Sequence, residues 1–310
     1  MSVTVLLSSL VGLFLLIGVG FLAVRTKVLS ASASAPLTAL LMKITLPATI
    51  VLSMLRPFDP SFLRDALVLF AIGFVFHLSY IGISWLLARL FRVPQGRRGM
   101  WNTCCAFCNN GFMGYPVAYA IFGEEGLALA VMLGVPFNLL LYTLGAKMVS
   151  LDGSGAGETR VSWKKVIFSM INLAIVVGLV LYCFQVSVSE VVKTPLQHLA
   201  NVTTPLSMFI TGMNLAANRV ADVVRDRDAI TASLTRLVLL PLATWGVLSL
   251  LPIANPMVVG VTLVIMSMPS AVATVVLGEQ YGGCTQLAAR TVCLSSLLCV
   301  VTIPLMVCLL

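Results

Sequence analysis

The feature that most constrains this chain is the grouping of its apolar residues into long blocks. Of 310 residues, 59% are hydrophobic and only 10% are charged, whereas roughly a quarter of the residues of a soluble domain are charged. An α-helix needs about 20 consecutive apolar residues to cross the hydrocarbon core of a bilayer. The sequence therefore predicts an all-α polytopic membrane protein, for which the lipid bilayer is the surrounding solvent.

Ten transmembrane helices are predicted along the chain. The first apolar block has no basic residue before it, whereas Arg25 and Lys27 follow it. A cleaved signal would carry its positive charge in front of a shorter apolar region, so this block is predicted to be a retained helix. The predicted helices lie near 3–24, 35–55, 63–90, 100–123, 126–148, 165–184, 195–217, 229–251, 256–278 and 285–309.

The basic residues predict the orientation of these helices. With ten helices the loops alternate between two sides, and one side holds most of the lysines and arginines behind the net charge of +8. The loops of the other side hold only Arg56, Arg64 and Lys193. Because basic loops remain in the cytoplasm, a multi-pass protein of the cell membrane with both termini non-cytoplasmic is predicted. The charge is spread over short loops, so no nucleic-acid partner is expected.

A polar linker divides the chain into two halves. Residues 150–163 are rich in glycine and serine and predict a flexible cytoplasmic linker between two five-helix repeats, residues 1–149 and 164–310. Five is an odd number, so the second repeat is predicted to enter the membrane inverted relative to the first. Pro47 and Pro205 occupy corresponding positions in the second and seventh helices. An inverted repeat of this kind is typical of secondary transporters.

The fourth and ninth predicted helices contain residues that a membrane helix tolerates poorly. The fourth includes CNNGFMGYP at 108–116, and the ninth includes SMPSA at 267–271. Pro116 and Pro269 each remove a backbone donor, and freed backbone groups at membrane depth must be buried in protein or face a water-filled cavity. Two broken helices that cross at the midplane would direct half-helix N-termini toward an anionic group. The alternative is a pair of ordinary proline kinks.

The chain resembles the auxin efflux carrier family, whose members are related to plant PIN-type carriers and to the bile-acid and auxin transporter superfamily. The nonapeptide at 108–116 is similar to the family segment GNTGFxGxP, with Cys108 in place of Gly and Asn110 in place of Thr. Residues 268–305 resemble the last two helices of the family, and residues 44–55 resemble the second.

The resemblance implies a fold and a mechanism. It implies ten helices in a five-plus-five inverted repeat, with the broken helices four and nine crossing as in the sodium/bile-acid symporters. Helices one, two, six and seven would form a scaffold, through which a homodimer is also implied, and the other six would move as a unit. The implied substrates are small organic anions such as auxin and malonate. In this family the fifth helix borders the substrate cavity, which makes Asn138 a candidate contact.

Several residues are candidates for the substrate site, although each has a structural alternative. Asn109 and Asn110 offer amide groups beside the break, and Gly111 lowers the cost of breaking the helix. Lys43 either attracts a carboxylate or extends to the interface, and Asn138 either binds substrate or joins helices. The predicted binding residues are Asn109, Asn110, Gly111, Ser267, Ser270, Asn138, Tyr142 and Lys43, and the predicted crossover or hinge residues are Pro116, Pro269, Pro47 and Pro205.

His77 is the one ionisable side chain that the sequence interpretation places near the middle of a span. Imidazole titrates near neutral pH, so His77 is a candidate for proton coupling or substrate support, with Tyr80 one turn further on. The alternative is a neutral histidine that bonds a neighbouring helix. No carboxylate lies near either break, so proton coupling or uncoupled transport is favoured over sodium coupling.

The sequence predicts a transporter of small organic anions that works by elevator-type alternating access. No HExxH, GxSxG or phosphate-loop motif is present, so no enzyme activity is expected. The C-x-x-C at Cys105 and Cys108 has no second pair or nearby histidine, so neither a metal nor a cofactor is predicted. The alternatives are a channel or receptor on the same scaffold, or a carrier of non-anionic solutes.

Overall fold

The computed structural model describes residues 3–153, 169–216 and 223–309, and these ranges are almost entirely helical. They contain no β-strand beyond one isolated β-bridge between Cys108 and Ser270. The predicted all-α class is therefore confirmed. Five helices in these ranges have the length and composition to cross a membrane, which supports a multi-pass membrane protein: Ala31–Ser53, Pro60–Leu90, Asn110–Ser150, Arg227–Leu250 and Thr285–Val307.

The helices follow one another with short connections. Most of the predicted linker, from residue 154 onward, lies outside the described residues. Gly123 has a φ of 70° and bends the chain inside one long helix. The helical segments are Val3–Arg25, Ala31–Ala33, Ser34–Leu40, Leu41–Thr45, Leu46–Ser53, Pro60–Leu90, Gln95–Ala106, Asn110–Gly114, Tyr115–Leu140, Leu141–Gly145, Ala146–Ser150, Met170–Cys183, Glu190–Ala216, Arg227–Leu234, Thr235–Leu239, Leu240–Leu250, Pro256–Met266, Ala273–Tyr281 and Thr285–Val307.

A short π-helical turn precedes each of three prolines and lets the helix continue through them. In an α-helix a proline ring clashes with the carbonyl four residues earlier, and the wider i→i+5 turn relieves that clash. The residue before the proline makes the π-type bond, as Leu46 does to the Leu41 carbonyl. Pro205 instead lies inside the continuous helix Glu190–Ala216. Three of the four π-helical turns in the described residues precede a proline: Leu41–Thr45 before Pro47, Asn110–Gly114 before Pro116 and Thr235–Leu239 before Pro241, whereas Leu141–Gly145 does not.

The described residues fall into two compact units, each of which draws on both halves of the sequence. The first unit contains the first, second, sixth and seventh predicted helices, as far as they are described. The second contains the eighth, ninth and tenth. The third, fourth and fifth helices contribute residues to both. By residue number, the first unit comprises 3–69, 111–132 and 169–216, and the second comprises 70–110, 133–153 and 223–309.

Close helix packing holds the first unit together. Val3–Arg25 lies along Glu190–Ala216, with Gly20 against the backbone of Phe209 and Gly212 against the backbone near Ile17. Glycine permits this approach because it has no Cβ atom. Leu46–Ser53 packs on the same long helix and on Met170–Cys183.

An ion-pair network joins three helices of the second unit. The Asp226 carboxylate caps helix Arg227–Leu234 by accepting from the Asp228 backbone N–H at 3.2 Å. It also accepts from Arg97 Nη2 at 2.5 Å and from Arg290 Nη1 at 2.8 Å. Arg97 makes a further pair with the Asp228 carboxylate at 2.7 Å. The Asp226 side chain is 3% exposed, so loss of one partner would leave buried charges unpaired, which costs more than the loss of a surface pair.

Replacing Asp226 by asparagine is expected to lower the unfolding temperature by several degrees. Removal of one partner of a buried ion pair costs on the order of 3 kcal/mol. The matched control is Glu190→Gln, because the Glu190 side chain is 80% exposed and lies 3.7 Å from Lys193 Nζ. Exposed pairs of this kind contribute about 0–1 kcal/mol. Thermal unfolding of the purified proteins in detergent measures both effects, and equal losses would contradict the prediction.

The effect of Asp226 should depend on pH. Burial by itself would raise the pKa of Asp226, but the hydrogen bonds from Arg97 and Arg290 outweigh it and hold the pKa below its usual value. A carboxyl group with a lowered folded-state pKa stabilises the protein above its unfolded pKa of about 4, and this contribution is lost as the pH falls through the folded value. The difference in unfolding temperature between wild type and Asp226→Asn should therefore shrink below about pH 4.

Candidate functional site

Two helices of the second unit are interrupted within apolar sequence. Gln95–Ala106 ends before an extended stretch at 107–109, which we call the first break, and Pro256–Met266 ends before a non-helical stretch at 267–272, the second break. Pro269 disrupts the second helix because it lacks an N–H donor. The first break precedes Pro116 by several residues and contains no proline, so it is not located where Pro116 predicted it.

The two breaks pair with each other. Asn109 N–H donates to the Pro269 carbonyl at 2.7 Å, and Ala271 N–H donates to the Phe107 carbonyl at 3.0 Å. The residues between them form the isolated antiparallel β-bridge. Pairing satisfies buried backbone groups that would each cost several kcal/mol if left unbonded in an apolar environment. The first break therefore owes its position to the partner segment.

The two predicted serines of the second break are buried and use their hydroxyl groups inside the unit. Ser270 Oγ donates to the Cys104 carbonyl at 2.9 Å, and its backbone N–H donates to Ser295 Oγ at 3.1 Å. Ser267 Oγ donates to the Leu263 carbonyl at 2.7 Å, one turn back in its own helix. These contacts fix the shape of the second break.

Arg236 donates hydrogen bonds to backbone carbonyls at or next to both breaks, and the sequence analysis did not identify it. Its side chain is 0% exposed. Its Nε donates to the Met268 carbonyl at 2.9 Å, Nη1 to the Cys105 carbonyl at 3.1 Å and Nη2 to the Met266 carbonyl at 2.5 Å. Its guanidinium carbon lies 5.3 Å from the centroid of the Tyr80 ring. One side chain thus binds the ends of two helices.

His77 is not the only buried ionisable side chain in the predicted spans, since Arg236 in the predicted eighth helix is also buried. The available signal was its position in the predicted eighth helix. Arg236 follows Arg227 by nine residues, or about 14 Å at about 1.5 Å per residue. A charge so far inside an apolar helix indicates a function or a specific structural partner.

Asn109 and Asn110 have amide nitrogens without partners. Their residues are 3% and 1% exposed, and neither Nδ2 has a hydrogen-bond partner among the described residues. Asn110 Oδ1 accepts from the Cys108 thiol at 2.8 Å. A buried donor that lacks an acceptor costs about 1–3 kcal/mol, so an acceptor other than the described residues would stabilise this part of the unit.

His77 and Tyr80 occupy separate environments in the second unit. The buried His77 ring lies 5.9 Å from Phe107 and 5.7 Å from Phe137, measured between centroids. Its Nδ1 is 2.6 Å from the Gly73 carbonyl, and its Nε2 has no partner within the described part of the chain. The Tyr80 hydroxyl instead bonds the Leu240 carbonyl and Thr244, so it does not extend a chain from His77.

The remaining predicted residues lie in more varied positions. Gly111 begins the portion of its helix that belongs to the first unit, and a Cβ atom there would lie 3.3 Å from Met42 Cε. Lys43 is also in the first unit and is exposed. Asn138 and Tyr142 are half-buried in the second unit.

Comparisons with known proteins point to membrane transport. A family described as "Membrane transport protein" matches residues 5–307. An "Uncharacterized transporter" of Methanothermobacter thermautotrophicus is 26% identical over 96% of both chains. A second "Uncharacterized transporter", from Methanocaldococcus jannaschii, is 30% identical over 77% of both chains. A Rhizobium meliloti protein named "Putative malonate transporter" is 23% identical over 64% of this chain and 62% of its own.

These names describe transporters and not enzymes. The match extends over nearly the whole chain and so covers far more than the short motifs from which the resemblance was drawn. The chain therefore belongs to this membrane transport protein family, and its resemblance to the auxin efflux carriers is confirmed.

Proposed function

We propose that this protein is a secondary transporter of small organic anions and that the paired breaks hold the anionic group. The observation that carries the proposal is the pair of buried amide nitrogens on Asn109 and Asn110, which have no acceptor among the described residues. Arg236 adds a buried positive charge in the same unit, and none of the described carboxylates forms an ion pair with it. Donors and positive charge together favour a ligand that accepts hydrogen bonds and carries negative charge.

A carboxylate suits these groups chemically. It is an acceptor with two oxygens, so one carboxylate can receive a hydrogen bond from each asparagine amide. Helical segments begin at Asn110 and at Ala273, directly after the two breaks, and helix N-termini favour anions. The name of the Rhizobium meliloti relative refers to malonate, a dicarboxylate, which agrees with this choice.

For the transport cycle we propose elevator-type alternating access, with the second unit as the moving part. Two features support this proposal. The paired breaks belong to the second unit, whereas the first, second, sixth and seventh predicted helices belong to the first unit as far as they are described. The Gly20 and Gly212 contacts bring helix backbones of the first unit together, as expected of a rigid scaffold.

Proton coupling through His77 is proposed as the energy source. His77 is buried beside Phe107 of the first break, and its Nε2 has no partner among the described residues. Imidazole is the side chain whose charge changes most readily near neutral pH. Neither break contains an aspartate or glutamate, and these carboxylates are the usual ligands of hard cations, so sodium coupling is not proposed.

Asn109→Ala is expected to weaken carboxylate transport on the order of tenfold or more, because a hydrogen bond to a charged group contributes about 1.5–3 kcal/mol. The measurement is the current on a solid-supported membrane carrying proteoliposomes, with malonate, malate, lactate and indole-3-acetate applied in turn. Each acid is tested with and without a proton gradient. Asn201→Ala serves as the matched control, because it removes an exposed amide of the first unit.

The outcomes distinguish the alternatives. A saturable current for one acid that Asn109→Ala reduces and Asn201→Ala preserves would support a carrier of organic anions. A current that does not saturate would favour a channel. If the acids give no current but a neutral or cationic solute does, the anion assignment is wrong while the family membership is unaffected.

A further inference from the structure

We infer that Arg236 determines the sign of the charge that the paired breaks accept, so that they bind one carboxylate group at a time. This inference rests on the proposed function and names the residue behind its selectivity. Arg236 would act as a specificity-determining residue without being a hydrogen-bond donor to the substrate. The reasoning depends on the helix ends that meet at the two breaks.

Each break supplies one helix C-terminus and one helix N-terminus. A C-terminus carries about half a negative elementary charge and an N-terminus about half a positive one. The C-termini belong to Gln95–Ala106 and Pro256–Met266, and the N-termini to the segments that begin at Asn110 and Ala273. The four ends therefore sum to about zero, and by themselves would give the paired breaks little preference for either sign of ligand.

Arg236 changes this balance because its hydrogen bonds go to the negative ends only. Met266 is the last residue of its helix, Cys105 lies in the last turn of the other, and Met268 follows in the second break. One guanidinium carries about the charge needed to cancel two helix C-termini. Cancellation leaves about one positive elementary charge from the two N-termini, which one carboxylate would neutralise.

The unpartnered donors provide a second, independent observation. Asn110 is the first residue of its helical segment, and Asn109 directly precedes it. Both amide nitrogens are buried without an acceptor among the described residues. The two amide donors therefore lie at a helix N-terminus whose partial positive charge Arg236 does not cancel. A dicarboxylate would place only one of its two carboxylates there.

The test adds a negative charge beside Arg236 while its carbonyl bonds remain in place. Cys108 lies in the first break, three residues after Cys105, whose carbonyl accepts from Arg236 Nη1. Cys108→Asp would therefore supply the counter-charge from within the protein, and Cys108→Asn has the same shape without the charge. Binding is measured on the purified full-length variants in detergent, with indole-3-acetate and malonate as acids and indole-3-acetamide and malonamide as neutral probes.

Relative to Cys108→Asn, we expect Cys108→Asp to bind the acids on the order of tenfold to a hundredfold more weakly, with the amides bound equally by both. Equal acid binding by the two variants would overturn the role of Arg236 and leave the proposed function intact. Failure of the wild type to bind either acid would overturn the proposed function and this inference with it. If Cys108→Asp does not fold, Arg236→Gln provides the test, and the quantity compared is the ratio of acid affinity to amide affinity. This ratio should fall toward one in Arg236→Gln. A ratio equal to that of the wild type would overturn the inference.

Discussion

Replacing Arg236 by leucine is expected to lower the unfolding temperature of the protein by roughly 6 °C, a loss on the order of 4 kcal/mol. The substitution leaves the carbonyls of Cys105, Met266 and Met268 without their buried donor. Each unsatisfied group costs about 1–3 kcal/mol. The two helix C-termini would also repel each other once the positive charge between them is gone.

The matched control for Arg236→Leu is Arg227→Leu. Arg227 begins the same helical stretch, but its side chain is exposed. Trp101 provides a reporter within the second unit, because its indole donates to the Asp228 carbonyl at 3.0 Å. Tryptophan fluorescence during heating in detergent measures both variants. If Arg227→Leu destabilised the protein as much as Arg236→Leu, general loss of charge and not the three carbonyl contacts would be responsible.

Gly20→Ala is expected to destabilise the first unit by about 2–3 kcal/mol, because overpacking against fixed neighbours costs about 1–3 kcal/mol. A Cβ atom on Gly20 would lie 2.8 Å from the carbonyl carbon of Phe209 and closer still to its oxygen. The backbone of Glu190–Ala216 cannot rotate away as a side chain would. The two helices must therefore separate, which would reduce their packing on either side of the substitution.

Gly18→Ala is the matched control, since it adds the same methyl group to the same helix two residues away. A Cβ atom on Gly18 would meet nothing within 4 Å. Alanine is favoured over glycine inside a helix by about 0.5–1 kcal/mol, so this variant should be neutral or slightly stabilised. The two variants should thus shift the unfolding temperature in opposite directions. A similar decrease in both would show that the Phe209 contact is unimportant.

The sequence predicted the parts of this protein that depend on local composition. Apolar block length is a property of neighbouring residues, and it correctly predicted an all-α membrane protein. The motifs at 108–116 and 268–305 identified the family. Pro269 was also assigned to a break for a local reason, because proline has no backbone N–H donor in any fold. Asn109 and Asn110 were chosen because their side-chain amides offer donors and acceptors beside the break.

The tertiary structure decided the features that depend on partners distant in sequence. The first break is located at 107–109, where the chain pairs with Pro269 and Ala271, while the π-helical turn Asn110–Gly114 carries the helix past Pro116. Hydropathy cannot reveal such pairing because the two segments are separated by most of the second half of the chain. Arg236 escaped notice for the same reason. A buried charge is stabilised only by groups that the fold places beside it. For Arg236 these groups are three carbonyls from two other segments, which the sequence of its own helix does not reveal.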